Sequence, residues 1–211
     1  YDDPHGYWIS SENLPNTIPN QGRKRSLVAG WWWYNMMNRN SIRDKITFFL
    51  HTTFTTSKDD GTGASTYYFD HLKLLEFYSD GSLKDLSKKI TLDNAMLLYL
   101  DNTTNNADNP NENYAREFLE LFTIGKGEQV GDGDYTNYTE SDVQQAARVF
   151  SGFKTQLDRS IIDSDTNIPM GRTNTNQHDS GDKQFSSAFN NYIVTGSETS
   201  EGMFDEINQL V

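Results

Sequence analysis

The sequence predicts a mainly α protein, an irregular multi-helix bundle with a long loop-rich segment in the C-terminal third. Between residues 23 and 153, apolar side chains recur at the spacing of one helix face, and Ser, Thr or Asn precedes several of these stretches as a helix cap does. Residues 154–197 lack that periodicity. A chain of 211 residues is long enough for one domain with a hydrophobic core. We therefore expect a single domain of roughly six or seven helices.

The N-terminal part divides into an arm and two helices. Residues 1–22 contain three of the five prolines and no periodic pattern, which predicts an extended N-terminal arm. Residues 23–38 form a predicted helix that is apolar on nearly every side, a pattern typical of a buried element. Ser41 caps the next helix, residues 41–54, with Asp44 at the capping-box position.

Three shorter helices are predicted before the centre of the chain. Residues 67–79 carry apolar side chains at helical spacing, and Ser82 begins a helix over residues 82–90. Residues 91–100 form the third. A polar loop, residues 101–108, then leads into the central helix.

The central helix, residues 109–125, carries a full set of start and stop signals. Asn109 is its predicted cap, Pro110 lies in its first turn, Glu112 is the capping-box acid and Gly125 is the stop. At about 100° per residue, one side is apolar and the other polar. The apolar side holds Tyr114, Ala115, Phe118, Leu119, Leu121 and Phe122, and the polar side holds Glu112, Asn113, Arg116, Glu117 and Glu120.

The remaining chain holds one more predicted helix, an irregular stretch and the start of a last helix. Thr139 caps the helix over residues 139–153, and residues 185–194 suffice for a short hairpin at most. Apolar residues from Met203 onward begin a final helix, which we expect the chain end to truncate. The predicted organisation is an arm over 1–22, a helical core over 23–153, and an irregular segment with the truncated helix over 154–211, all in one domain.

Several segments resemble one bacterial family in order along the chain. They are SIRDKITFFLHTTF at 41–54, AMLLYLDN at 95–102, NENYARE at 111–117, ELFTIG at 120–125, YTESDVQQAARVFSGF at 138–153 and HDSGDK at 178–183. Together they are similar to the signature of the domain of unknown function 1800 (DUF1800). The resemblance implies export from the cytoplasm and members that are longer at both ends. We therefore expect this chain to be a central portion whose Trp31, Trp32 and Trp33 are left exposed.

Composition excludes several classes of function. The net charge of −12 disfavours binding to nucleic acid or to anionic membranes. The chain has no cysteine, so disulfides, thiolate metal sites and cysteine nucleophiles are absent. No apolar run approaches the roughly 20 residues of a transmembrane helix, and no phosphate-binding loop, dinucleotide fingerprint or serine-hydrolase motif is present. With the export that the family resemblance implies, we expect a secreted, cell-surface or periplasmic protein, and the missing motifs predict no organic cofactor.

The loop before the central helix has the oxygen spacing of a calcium loop. With Asp101 as position one, Asn105, Asn109 and Glu112 occupy positions five, nine and twelve of an EF-hand-like loop. Position six is Asn106 instead of glycine, and Pro110 falls inside the loop. The alternative is a polar loop whose Asn side chains form Asx turns and cap the helix. Asp163, Asp165 and Asn167 repeat the opening of such a loop without its later ligands.

A second set of candidates combines histidine with carboxylates. His51 matches the first histidine of the family's "FWHNHF" segment, although Leu50 and Thr53 replace its tryptophan and its second histidine. His178 and Asp179 open the "HDxGxK" motif. If the fold brings these together with Glu117 and Glu120, the group would suit zinc or another transition metal.

Arg116 completes the candidate residues, since Glu112 and Glu120 lie four positions away on either side of it. Such a network, which Lys183 would join, is either a structural clamp or an anion-binding site. Two hypotheses follow. The first is a surface or assembly protein with loops fixed by a divalent cation, which binds a protein partner or the remainder of its own longer chain. The second is a metal-assisted hydrolase that uses His51, His178, Asp179 and Glu117 or Glu120.

Overall fold

The computed structural model describes residues 21–59 and 62–211, and it is mainly α-helical as predicted. Three helices form its N-terminal part: α1 is Gln21–Arg39, α2 is Ile42–Thr53 and α3 is Ser65–Phe77. Ser41 caps α2 by accepting a hydrogen bond from the Arg43 N–H. Helix α3 packs against α1, α2 and α5 and is buried on most sides. The predicted N-terminal arm lies outside the described residues, except that Gln21 and Gly22 belong to α1.

Two capped helices connect this part to the centre of the chain. Helix α4 is Leu83–Ile90 and α5 is Asn94–Tyr99. The Ser82 hydroxyl accepts from the Asp85 N–H, and the Asp93 carboxylate accepts from the Met96 N–H. Each side chain satisfies an amide that has no partner within the helix, which fixes where the helix begins.

The central helix begins later than predicted and changes its winding. Helix α6 is only Asn113–Glu117, and a π-helix, Phe118–Thr123, continues it. The prediction of a start at Asn109 is wrong, because Asn106 and Asn111 bind nearby backbone amides and hold residues 106–112 in turns. Gly125, at a φ of +70°, ends the element as predicted.

The C-terminal part consists of two helices and a long irregular stretch. Helix α7 is Glu140–Val149, capped by Thr139, and α8 is Ser200–Leu210. Gly152, at a φ of +78°, ends the first of them early: a Cβ there would lie 2.7 Å from the Asn174 carbonyl oxygen. Two antiparallel pairs follow. Strand β1 (Phe153–Lys154) pairs with β2 (Arg172–Thr173), and β3 (Lys183–Gln184) pairs with β4 (Ile193–Val194), which is the short hairpin predicted here.

The hydrophobic core lies in two places. The larger cluster joins α4 to α8 around Tyr114, Phe118 and Phe150, whose rings pack within 4.8–6.0 Å of one another. The smaller cluster sets Trp31 and Trp32 against α3. The expectation that Trp31, Trp32 and Trp33 are exposed is therefore wrong for the first two, and of these three Trp33 alone is exposed, at 51%. Helix α1 is consequently buried on one face and open on the other.

Candidate functional site

The polar side of the central helix forms an ion network around Arg116. Its guanidinium donates two hydrogen bonds to Glu140 and one to Glu112. Glu120 does not join it, contrary to the prediction, because Glu120 pairs with Lys126 and accepts from the Tyr138 hydroxyl. The first turn of α7 places Glu140 beside Arg116, where the sequence predicts Glu120.

The carboxylates of this network differ in their acidity. The hydrogen bonds from Arg116 lower the pKa of Glu140. Partial burial, and next the charge of Glu140, raise the pKa of Glu112. Burial and the charge of Glu120 likewise raise the pKa of Glu117. Arg116 therefore stabilises the ionised form of Glu140 more than it stabilises that of Glu112.

The predicted calcium loop uses its amide side chains to bind protein. Asn105 is fully buried: its amide donates to the Ala147 carbonyl, and its oxygen accepts from the Asn111 N–H. Asp101 has a left-handed backbone with a φ of +56°, Asn109 is exposed, and Glu112 pairs with Arg116. Two of the four proposed ligands, Asn105 and Glu112, thus bind separate protein groups. This arrangement matches the alternative of a polar loop held by Asx turns.

We expect this loop to keep its structure without an ion. Chelation with EDTA should leave the melting temperature unchanged, whereas Asn105→Ala should lower the free energy of unfolding by about 1–3 kcal/mol, since it leaves the Ala147 carbonyl and the Asn111 N–H unpaired. Asn109→Ala, at an exposed position of the same loop, is the matched control. A melting temperature that falls in EDTA and recovers with calcium would instead support the calcium loop.

The second oxygen-rich stretch is likewise occupied by protein groups. Asp163 accepts from Thr166 and pairs with Lys89, which also pairs with Asp165. Lys89 and Thr166 lower the pKa of Asp163 although its burial opposes them. These carboxylates therefore tie the loop to α4.

His178 lies in a buried ionic cluster with no free ring nitrogen. Its Nε2 lies 3.0 Å from the Glu206 carboxylate, and its Nδ1 lies 2.9 Å from the Ser151 carbonyl oxygen. Lys183 is fully buried and donates to the other oxygen of Glu206 and to the Asp179 carbonyl. Lys183 belongs here and not to the Arg116 network. The cluster holds the "HDxGxK" segment against α8.

The carboxylate and the backbone carbonyl of Asp179 bind different partners. Its carboxylate accepts two hydrogen bonds from Arg148 of α7, at 2.6 and 3.1 Å. Those bonds and the Gly181 amide lower the pKa of Asp179 despite its burial. The motif is thereby held against two helices: Asp179 binds α7, and His178 and Lys183 bind α8.

His51 lies in a separate aromatic cluster with His71. The ring centres of His51 and His71 are 5.6 Å apart, and the His51 ring meets Trp32 edge-on at 5.1 Å. His71 Nδ1 is 2.9 Å from Asp93, the carboxylate that caps α5. Burial, and next the charge of His71, lower the pKa of His51 to about 3. His51 is therefore neutral at physiological pH.

The residues of the hydrolase hypothesis thus occupy separate surroundings. His51 contacts α1 and α3, His178 and Asp179 contact α7 and α8, and Glu120 contacts Lys126 and Tyr138. Within residues 21–59 and 62–211, no three His, Asp or Glu side chains are grouped so that they would hold a metal ion.

Sequence reasoning missed the two buried acids that organise these clusters, Asp93 and Glu206. One signal was available for Glu206. It shares the apolar face of α8 with Met203, Ile207 and Leu210, and an acid at such a position must find a buried cation. Asp93 could have been identified as a helix cap, but its second contact, with His71, depends on the fold.

Comparison with known proteins gives one family. The family described as "Protein of unknown function (DUF1800)" matches residues 11–208 of the chain. No curated protein and no solved structure matches it. Among the helices of the described residues, none is both long enough and apolar enough to cross a membrane.

Proposed function

We propose a function for this chain from the premise that it belongs to the DUF1800 family: it is a surface or assembly protein that acts outside the cytoplasm. It binds a second copy of itself, head to tail, through the exposed aromatic face of α1 and α2. The family resemblance supports export, and the absence of cysteine is compatible with it. Fractionation of cells that carry the natural gene tests the location.

The observation that carries the proposal is a set of exposed apolar side chains on two adjacent helices, the α1–α2 face. It consists of Trp33, Tyr34, Met37, Ile42, Phe48 and Phe49. Met37 is 80% exposed and Phe49 is 65% exposed, while Trp33 packs its ring 5.8 Å from that of Phe48. A groove of about 380 Å³ opens between the two helices at this point. An exposed apolar patch of this kind often marks a binding surface.

The charge of the chain argues for a second copy as the occupant. Residues 21–53, which contain α1 and α2, hold six of the 18 basic residues and only one of the 30 acidic residues. Their net charge of +5 stands against −17 for the rest of the chain. Lys24 and Arg25 are buried, and Arg39 and Arg43 pair with Glu76 and Asp80, so Lys45, which lines the groove, is the basic side chain that this face offers to an acidic surface of a second copy.

An acidic apolar surface is available elsewhere on the molecule. Leu121, Ile124 and Val130 are 57%, 43% and 68% exposed, and Glu128 and Asp132 lie in the same stretch. Contact between this stretch and the α1–α2 face of a neighbour joins two different surfaces. Such a heterologous contact leaves one of each surface free at the ends, so the assembly grows beyond a dimer, as an open filament or until it closes into a ring.

Sedimentation velocity tests the assembly. At low salt, we expect the sedimentation coefficient to rise continuously with protein concentration and to fall when the salt is raised to about 0.5 M, because added ions screen the opposite charges. The double variant Trp33→Ser, Met37→Ser should sediment as a monomer. Leu157→Ser, at an apolar position that is 84% exposed outside both surfaces, should behave as the unmodified chain.

Two results would contradict the proposal. A chain that stays monomeric at every concentration does not use this face for itself. A dimer that grows no further would show that the contact joins two identical surfaces, and the head-to-tail arrangement would then be wrong.

A further inference from the structure

A cleft of about 700 Å³ lies where the helical core meets the irregular C-terminal segment. Its walls come from the end of α1, the first turn of α2, helix α3 and residues 159–169. Phe69, Phe77, Ile168 and Pro169 give it an apolar side. The volume lies within the range of sites that bind small molecules.

Asp44, in the first turn of α2, is the unusual group of this cleft. It is only 6% exposed, and its Oδ2 atom has no hydrogen-bond partner among the described residues. The nearest cation atom, Arg39 Nη1, is 3.7 Å from its other oxygen, which is too far for a hydrogen bond. A buried carboxylate without a hydrogen-bond partner costs free energy. A donor that enters the cleft and binds the Asp44 carboxylate would therefore stabilise it.

The other charges that line the cleft have partners. Asp70 accepts two hydrogen bonds from Arg159, at 2.7 and 2.9 Å. Glu76 pairs with both Arg39 and Lys73, so this trio carries one surplus positive charge. Arg43, which also lines the cleft, pairs with Asp80. The cleft therefore presents a carboxylate without a hydrogen-bonded cation, Asp44, beside two cations, Arg39 and Lys73, that share the one carboxylate of Glu76.

We propose that this cleft binds a free α-amino acid with an apolar side chain. The ammonium group of the ligand donates to Asp44, its carboxylate accepts from Arg39 and Lys73, and its side chain lies against Phe69 and Phe77. The two opposite charges of an amino acid are separated by a single carbon, which suits charges as close as those of Asp44 and Arg39. Ser41 and Asp44 also line the groove of the α1–α2 face, so the two sites adjoin.

Calorimetric titration of the full chain tests the proposal with four probes. L-phenylalanine and L-leucine should bind with Kd values of about 0.1–1 mM, as expected for ligands of this size. 3-Phenylpropionate lacks the amine and 2-phenylethylamine lacks the carboxylate, so each should bind at least about tenfold more weakly than phenylalanine. Absence of heat with both amino acids at about 10 mM would overturn the proposal.

Variants assign the two charges. Asp44→Asn keeps the shape of the side chain and should weaken phenylalanine binding at least about tenfold, while Asp85→Asn, an exposed carboxylate on α4, should leave it unchanged. Unchanged binding by Asp44→Asn contradicts the proposal. If that variant does not fold, Arg39→Gln decides: it should weaken the binding of phenylalanine but not of 2-phenylethylamine, and equal effects on both ligands would reject the assignment.

Discussion

Replacing Glu206 with Gln is expected to lower the free energy of unfolding by about 3–5 kcal/mol, the usual cost of removing one partner from a buried ion pair. Glu206 and Lys183 are both fully buried, and burial already lowers the pKa of Lys183. Without the carboxylate charge, the ammonium group stays in the core beside neutral acceptors alone, the Asp179 carbonyl and the amide oxygen introduced at position 206. Chemical denaturation at neutral pH measures the change.

The neighbouring residue provides the control for Glu206. Asp205→Asn removes the same charge one position earlier on α8 at an exposed site, and it should change the free energy of unfolding by less than about 0.5 kcal/mol. The double variant Lys183→Met, Glu206→Leu should recover part of the loss, because it removes both charges together. The recovery stays incomplete, since the Ser197 N–H and His178 also bind Glu206. A small loss for Glu206→Gln would mean that solvent reaches Lys183.

The parts of the fold that could be predicted depend on neighbours in the sequence. Ser41, Ser82 and Thr139 each cap the helix that they precede, because a hydroxyl needs only the amides two or three residues later. The start of α6 was misplaced where two local signals compete. Asn106 and Asn111 make local bonds that favour turns, and those bonds override the cap that Asn109 would provide.

The partners of the candidate residues could not be predicted, because they lie far apart in the chain. Arg116 has acids at both helical positions, yet Glu140, 24 residues away, takes two of its hydrogen bonds. Likewise, nothing near His51 in the sequence indicates that it packs beside His71 instead of His178. Periodicity places a side chain on the buried or exposed side of a helix, and the fold alone decides which buried polar groups meet.

Asp70 should make the stability of this protein fall as the pH rises from about 4 to about 8. Burial raises the pKa of Asp70 from 3.8 to about 7, and the charge of Asp93 adds to the effect, while the hydrogen bonds from Arg159 oppose both. A folded state that holds this proton more tightly than the unfolded state is favoured below pH 4, and the advantage disappears as the pH passes the folded pKa. At about 1.4 kcal/mol per pKa unit, the advantage amounts to about 4 kcal/mol.

Asp70→Asn isolates this contribution, because the other carboxylates titrate alike in both proteins. The difference in free energy of unfolding between the unmodified chain and the variant should shrink by about 4 kcal/mol from pH 4 to pH 8. Parallel curves would mean that the Arg159 guanidinium keeps Asp70 ionised throughout. The protonation of Asp70 also changes the charge of the cleft, since Asp70 and Arg159 both line it. When Asp70 takes up a proton in mild acid, the Arg159 charge loses its ionised partner, and the cleft gains a second surplus positive charge.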